Sequence, residues 1–98
     1  MSVNAVTLTA QIAELGSLRY TPAGIPVIDL RLTHASLQTE AGMQRETGFE
    51  MAAKAAGPEA MNIAKGAAGQ TVQVQGFLDR RNRMSRALVL HVTALEWI

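Results

Sequence analysis

Residues 18–27 read Leu-Arg-Tyr-Thr-Pro-Ala-Gly-Ile-Pro-Val and separate two runs of alternating apolar and polar residues. Pro22 fixes φ near about −65° at the second position of a turn, and Gly24 accepts a positive φ. Pro26 lacks a backbone donor, which suits the first residue of a strand. The stretch therefore predicts a rigid, exposed loop between two strands. An ordinary hairpin loop with surface residues is the alternative interpretation.

Candidate binding residues concentrate in two loops. Just before the turn lie a cation, Arg19, and a flat aromatic side chain, Tyr20. We expect both to be exposed to solvent at the end of a strand pair. Four of the nine basic residues fall within seven positions, and these are Arg80, Arg81, Arg83 and Arg86. The net charge of +1 does not indicate a nucleic-acid-binding protein, but this clustering does. A solvated, solubilising loop is the alternative for the arginine cluster.

Length and composition limit the class of protein. We expect residues 1–98 to form one domain, and a hydrophobic content of 48% excludes disorder. The chain has no cysteine, which excludes disulfides, thiolate metal sites and a cysteine nucleophile. No apolar run is long enough to span a membrane, and no signal peptide is recognisable. We therefore expect a cytoplasmic protein that does not associate with membranes.

Period-two alternation predicts five strands, although the alanine-rich third segment also favours a helix. The five segments are residues 3–12, 28–33, 47–54, 72–78 and 88–95. Residues 13–16 are expected to end the first strand, and residues 38–44 are expected to form a second loop. Gly76 lies inside the fourth segment, where a glycine commonly marks a bulge.

A short helix is predicted between the third and fourth strands. Pro58 suits the first helical position, and Glu59 adds an acid to the first turn. Gly66 and Gly69 are expected to end the helix after about two to three turns. Three strands, a helix and two strands are the element order of the OB-fold, a five-stranded Greek-key barrel of the all-β class. The two candidate binding loops are those with which OB-folds grip oligonucleotides, although the order alone leaves other small barrels open.

The sequence resembles the primosomal replication protein N (PriB) family, which is similar to single-stranded DNA-binding protein. The matching stretches are the loop 18–27, His-Ala-Ser-Leu-Gln-Thr-Glu-Ala-Gly at 34–42, Arg45, Met51, Gly-Phe-Leu at 76–78 and Leu-Val-Leu-His at 88–91. The resemblance runs over essentially the whole chain. It implies a homodimer without catalytic activity or cofactor, which binds single-stranded DNA and has the restart helicase PriA and the protein DnaT as partners.

The resemblance also implies positions for the DNA contacts. Arg19 and Tyr20 match the first contact loop of the family, and Met43 and Arg45 match the tip and exit of its second hairpin. The loop 80–86 matches a lysine-bearing loop of the family and is shorter here.

Two aromatic positions of the family depart from its pattern in this chain. Met43 replaces an aromatic residue and is expected to contact a base or a partner protein. A second aromatic near Gly48 is replaced by Phe49 one position away, which by its parity is expected to face the core. Since base stacking contributes about 1–3 kcal/mol per base, we expect weak, salt-sensitive DNA binding.

No catalytic signature is present, so we expect a protein that is not an enzyme. His34 and His91 lack the neighbouring ligands of a metal site and are expected to be hydrogen-bonded in strands. Trp97 is expected to close the end of the barrel or an interface, and stacking on a base is the alternative. A cold-shock-type RNA-binding protein is disfavoured by the lack of clustered aromatics. The alternative function is a protein-interaction subunit of the same fold with weak or vestigial nucleic-acid binding.

Overall fold

The computed structural model describes all 98 residues as six strands and one short helix. In chain order these are β1 (Val6–Leu15), β2 (Arg19–Tyr20), β3 (Pro26–Glu40), β4 (Met43–Ala56), α1 (Pro58–Ile63), β5 (Thr71–Arg80) and β6 (Leu88–Trp97). The five predicted strands correspond to β1, β3, β4, β5 and β6. The two-residue strand β2 is additional and pairs with the start of β3 inside the predicted first loop.

The five long strands close into a barrel. The sheet order is β1-β5-β6-β4-β3-β2, and β1 also pairs with β3 to complete the ring. The pairing of β4 with β6 is parallel, and all other pairings are antiparallel. This closed barrel with one short helix confirms the predicted OB-fold.

Strand β1 has ten residues, as many as predicted, but it lies three positions further along the chain and changes partner along its length. It pairs with β5 over residues 6–11 and with β3 over residues 11–15. The change of partner includes a bulge between Ile12 and Glu14. An extra residue in a bulge shifts the alternation of side chains by one position. The expected end of the strand at residue 12 was therefore wrong.

Strands β3 and β4 form a long hairpin, so the predicted loop at 38–44 was also wrong. Glu40 pairs with Met43 across a two-residue turn in which Ala41 and Gly42 have φ values of 53° and 75°. Two successive positive φ values are typical of the type I′ turn, which matches the twist of paired strands. Residues 34–49, here called the arm, contain no buried residue and contribute to a longest dimension of 51 Å.

Phe49 lies in the arm and does not face the core as predicted. Its parity is that of Met51 and Ala53, and Ala53 is buried in the barrel. Phe49 itself is 43% exposed and lies against the ring of His34, with ring centroids 5.1 Å apart. The core face of the hairpin continues into the arm, but the barrel no longer covers it there.

The core is entirely apolar and is closed at one end by α1. Its fully buried large side chains are Ile12, Ile28, Leu32, Ile63, Leu90, Val72 and Val74. Helix α1 begins at Pro58 as predicted, but it has six residues and is shorter than expected. Ala60 and Ile63 seal it onto the barrel. No helix in the structure is both long enough and apolar enough to cross a membrane.

Two features near the chain's second half confirm sequence expectations. Gly76 lies at a register shift between β5 and β6, as its position in the strand predicted. Trp97 lies against Gly66 after α1, and its indole Nε1–H donates to Oδ1 of Asn62 at 3.3 Å. Trp97 therefore packs at the end of the barrel that α1 covers.

Candidate nucleic-acid interface

A groove crosses the outer face of β3 and β4 between the first loop and the β5–β6 loop. We call it the basic groove, and its volume is about 750 Å³. Its lining residues are Glu14, Leu15, Gly16, Arg19, Asp29, Leu30, Arg31, Ala52, Ala53, Lys54, Arg81 and Val89. Four of them are cations and two are acids, so cations outnumber acids in the lining of the groove.

Arg19 is held at one side of the groove by the small β2–β3 hairpin. The backbone N–H of Gly24 donates to the carbonyl of Thr21 at 2.8 Å, which closes the predicted turn, and Gly24 has a φ of 83°. Nη1 of Arg19 donates to Oδ2 of Asp29 at 2.6 Å. Both side chains are more than half exposed, so the pair contributes little to stability but fixes the direction of the guanidinium.

Arg31 and Lys54 supply the cations of the strand face, and sequence reasoning did not select them. Nε of Arg31 donates to Oε1 of Glu50 at 2.6 Å. This hydrogen bond raises the pKa of Arg31 above its ordinary value, so its charge is permanent. The available signal was alternation, since both residues occupy the polar positions of their strands and therefore face outward.

Lys54 and Arg81 are the unpaired cations of the groove. Neither has a carboxylate oxygen within 4.0 Å, in contrast to Arg19 and Arg31. The backbone N–H of Arg81 donates to the carbonyl of Ala87 at 3.0 Å and closes the neck of the β5–β6 loop. This bond fixes the backbone from which the Arg81 side chain reaches the groove.

The other predicted loop arginines lie outside the lining of the groove. Nη1 of Arg80 donates to the carbonyl of Arg83 at 3.3 Å, within the loop itself. Arg83 and Arg86 are exposed and form no ion pair. The loop therefore contributes one cation to the groove and presents three more on its own surface.

Tyr20, Met43 and Arg45 do not meet the groove either. Tyr20 is 60% exposed, and its hydroxyl lies 4.0 Å from Sδ of Met61 in α1. Met43 is 71% exposed at the end of the arm, where Arg45 pairs with Glu40 at 3.4 Å. The predicted residues therefore divide among the groove, the β5–β6 loop and the arm, and Tyr20 lies apart from all three, against α1.

The two histidines have separate surroundings. Nδ1 of His34 donates to the carbonyl of Thr9 at 2.6 Å, and its Nε2 lies 2.8 Å from the hydroxyl of Ser36. His91 stacks on Phe77 and makes no side-chain hydrogen bond, so the expected hydrogen bonding is found for His34 and not for His91. No group of three or more His, Cys, Asp or Glu side chains is arranged to hold a metal ion.

Comparison with known proteins identifies the class to which this barrel and its groove belong. Residues 4–94 match the model of a family described as "another single-strand binding protein family". The replication restart protein PriB of Nitrosomonas europaea is 43% identical over 91% of this chain and 82% of its own length. The PriB of Bordetella pertussis is 38% identical over 92% of this chain and 84% of its own. The chain belongs to the PriB family of replication restart proteins.

Solved structures agree with this assignment. The priB protein of Ralstonia solanacearum superposes with a TM-score of 0.90 at 33% identity, over 98% of each chain. The single-stranded DNA-binding protein of Thermus aquaticus superposes with a TM-score of 0.77 at 23% identity, over 98% of this chain and 50% of its own. The second likeness shows the barrel fold alone.

Proposed function

We propose that this protein binds single-stranded DNA through the basic groove during replication restart, and that it acts by binding rather than by catalysis. The observation that carries the proposal is the convergence of four cations from separate elements on one groove. Arg19 comes from β2, Arg31 and Lys54 from the strand face, and Arg81 from the β5–β6 loop. A phosphate chain that follows the groove would meet each of them in turn.

Single-stranded rather than duplex DNA suits the shape of this surface. Proteins that bind single strands combine a positive groove along the backbone with platforms for unstacked bases. Tyr20 in β2 and Met43 on the arm are exposed side chains outside the groove that would offer flat or soft contacts to bases beyond it. The charged contacts predict a steep loss of affinity as salt rises, because each neutralised phosphate releases a counterion.

Partner proteins are a further part of the proposal. The relatives are named for replication restart, which supports a role beside the restart helicase PriA and DnaT. The loop arginines Arg80, Arg83 and Arg86 and the arm residues Met43 and Arg45 are exposed outside the groove. We assign them to the outer contacts, with DNA or with these partners.

We also propose that the protein is a homodimer formed through β1. Residues 6–10 of β1 pair with β5 on one side, and β3 covers only residues 11–15 on the other. The uncovered half of β1 leaves backbone donors and acceptors without a strand partner. Antiparallel pairing of two copies of this edge would satisfy them with twofold symmetry.

The test of DNA binding compares alanine variants of two cations in the groove with an alanine variant of a lysine outside it. Fluorescence anisotropy of a labelled oligo-dT, at low and moderate salt, is measured for the wild type, Arg81→Ala, Lys54→Ala and Lys65→Ala. Lys65 lies outside the basic groove, so its loss removes the same charge as that of Lys54 without touching the site. We expect Arg81→Ala and Lys54→Ala each to weaken binding several-fold and to reduce the salt slope by about one.

Equal effects of Lys54→Ala and Lys65→Ala would contradict a role for the groove. Tight binding of a duplex of the same length would contradict the preference for single strands. The second candidate function, a protein-interaction subunit, is favoured by the ion pairs that already occupy Arg19 and Arg31. It predicts no oligo-dT binding by the wild type even at low salt.

A further inference from the structure

A second cleft lies on the barrel wall next to the basic groove. It has a volume of about 820 Å³ and is lined by residues of β3, β4, β5 and β6 and by the start of α1. We call it the aromatic cleft and define it by Lys54, Pro58, Glu59, Phe77 and His91. The proposed DNA path through the basic groove does not use it.

The floor of the aromatic cleft is a stacked pair of rings. Phe77 and His91 are cross-strand partners, with ring centroids 4.8 Å apart and an angle of 6° between the ring planes. Phe77 is 39% exposed, so the stack presents apolar ring surface to solvent. A large exposed aromatic that is already oriented by a neighbour loses little conformational entropy when a flat ligand stacks on it.

The two strands beneath this stack approach each other closely. Gly76 precedes Phe77 at the register shift with β6, and a Cβ at this position would overlap the carbonyl oxygen of His91. Glycine therefore permits the close approach of β5 and β6 that brings the two rings together. The bulge turns the side chains locally and aims Phe77 into the cleft.

Lys54 connects the two clefts. It lines both the basic groove and the aromatic cleft, and it pairs with His91 in the parallel β4–β6 ladder. Successive pairings across β3, β4, β6 and β5 form one row of residues, which are Asp29, Lys54, His91 and Phe77. With strands about 4.8 Å apart, Phe77 lies two strand spacings from Lys54, or about 10 Å. Neighbouring nucleotides of one strand can span that separation.

We propose that the aromatic cleft is a base-binding subsite in which a nucleobase of single-stranded DNA stacks on Phe77 while its phosphate contacts Lys54. The subsite extends the path of the strand from the basic groove across β4 and β6, and it rests on the proposed function. Lys54 has no carboxylate partner and is therefore available to the phosphate. Glu59 is the only acid in the cleft, and its negative charge would repel the phosphate toward the side of Lys54.

The first experiment replaces only the aromatic character of Phe77. Anisotropy with labelled oligo-dT is measured for the wild type, Phe77→Leu and Phe77→Tyr, and thermal unfolding confirms that each variant folds. Leucine retains an apolar side chain at this position but has no ring on which a base can stack, whereas tyrosine retains the aromatic ring. We expect Phe77→Leu to weaken binding about tenfold, since loss of one stacked base has this size, and Phe77→Tyr to retain wild-type affinity.

A second measurement locates the base directly. An oligonucleotide carrying 5-iodouracil is irradiated in complex with the protein, and cross-linked tryptic peptides are identified by mass spectrometry. Cleavage after Lys65 and Arg80 releases Phe77 in the peptide 66–80, which contains no other aromatic residue. We expect cross-links in this peptide from the wild type and from Phe77→Tyr, and none from Phe77→Leu.

The outcomes separate this proposal from the proposed function. Absence of oligo-dT binding by the wild type would overturn both. Wild-type affinity of Phe77→Leu, with Arg81→Ala still impaired and no cross-link in peptide 66–80, would overturn the subsite alone.

Discussion

At the scale of single residues, Gly66 decides how the end of the barrel is closed. It lies where the chain leaves α1, and the six-membered ring of Trp97 rests directly on it. A Cβ on residue 66 would overlap ring atoms Cη2 and Cζ3 of Trp97. Trp97 is anchored at its other side by its hydrogen bond to Asn62, so it cannot yield without losing that bond.

Gly66→Ala is therefore expected to destabilise the protein by about 1–3 kcal/mol, the usual cost of overpacking. For a domain of this size, each 1 kcal/mol lowers Tm by about 4–8 °C. Thermal unfolding followed by circular dichroism measures the change. In a Trp97→Phe background the smaller ring makes room, so the same substitution is expected to cost less. Equal losses in both backgrounds would show that the contact with Trp97 is not the cause.

At the scale of elements, the arm depends on a turn in which one residue, Ala41, has an unfavourable backbone conformation. Ala41 has a φ of 53°, a left-handed conformation that costs an ordinary residue about 1–2 kcal/mol. Gly42 follows with a φ of 75° at no such cost. The arm has no buried residue, so its turn and its ladder of hydrogen bonds hold it together without support from the core.

Ala41→Asn is expected to stabilise the arm, because Asn-Gly is the preferred sequence of a type I′ turn. A gain of about 0.5–1 kcal/mol would slow amide exchange at Glu40 and Met43 by about two- to fivefold. Hydrogen exchange measured by NMR detects this local change. Ala35→Asn, in the extended part of the same arm, is the control and is expected to give no protection. Unchanged exchange in Ala41→Asn would contradict the account of the turn.

Alternation of apolar and polar residues predicted the barrel strands because each of these strands has one face in solvent and one face in the core. The prediction of strand bounds failed where a strand does not have one face of each kind throughout. The bulge after Ile12 shifts the parity of β1, and the arm has two wet faces, so polar residues at 38–44 resembled a loop. The helix start was predictable from Pro58, whereas its early end follows from packing of Ile63 against the barrel.

The sequence predicted the loop residues of the candidate site but not the residues that strand pairing brings together. Loop cations such as Arg19 and Arg81 stand out in the sequence because they fall between strands. Arg31 and Lys54 look like ordinary outward residues until β3 and β4 are placed side by side under both loops. The pairing of Phe77 with His91 depends in the same way on the register of β5 and β6.

At the scale of the whole molecule, half of β1 is a barrel-strand edge without a partner strand. Odd-numbered residues of β1 direct their backbone groups away from β5, as the hydrogen bond from His34 to the carbonyl of Thr9 indicates. Thr7 has the same parity and no strand beside it on that side. Its N–H is therefore a donor that a second copy can use.

Thr7→Pro is expected to convert a homodimer into a folded monomer, because proline removes this donor and is tolerated on an edge. Sedimentation equilibrium would then report the chain mass of 10.5 kDa, against twice that value for the wild type. A dimeric Thr7→Pro protein, or a monomeric wild type, would contradict pairing through β1. Circular dichroism checks that the barrel remains folded.

The paired arginines of the basic groove have a consequence for the proposed DNA complex. Asp29 and Glu50 would remain beside Arg19 and Arg31 while a phosphate contacted them, and each carboxylate would compete for its guanidinium. Departure of the strand would leave neither arginine without a counter-charge, which would lower the barrier to dissociation. Such a groove would favour short residence times and rapid transfer of the strand to the next protein that handles it.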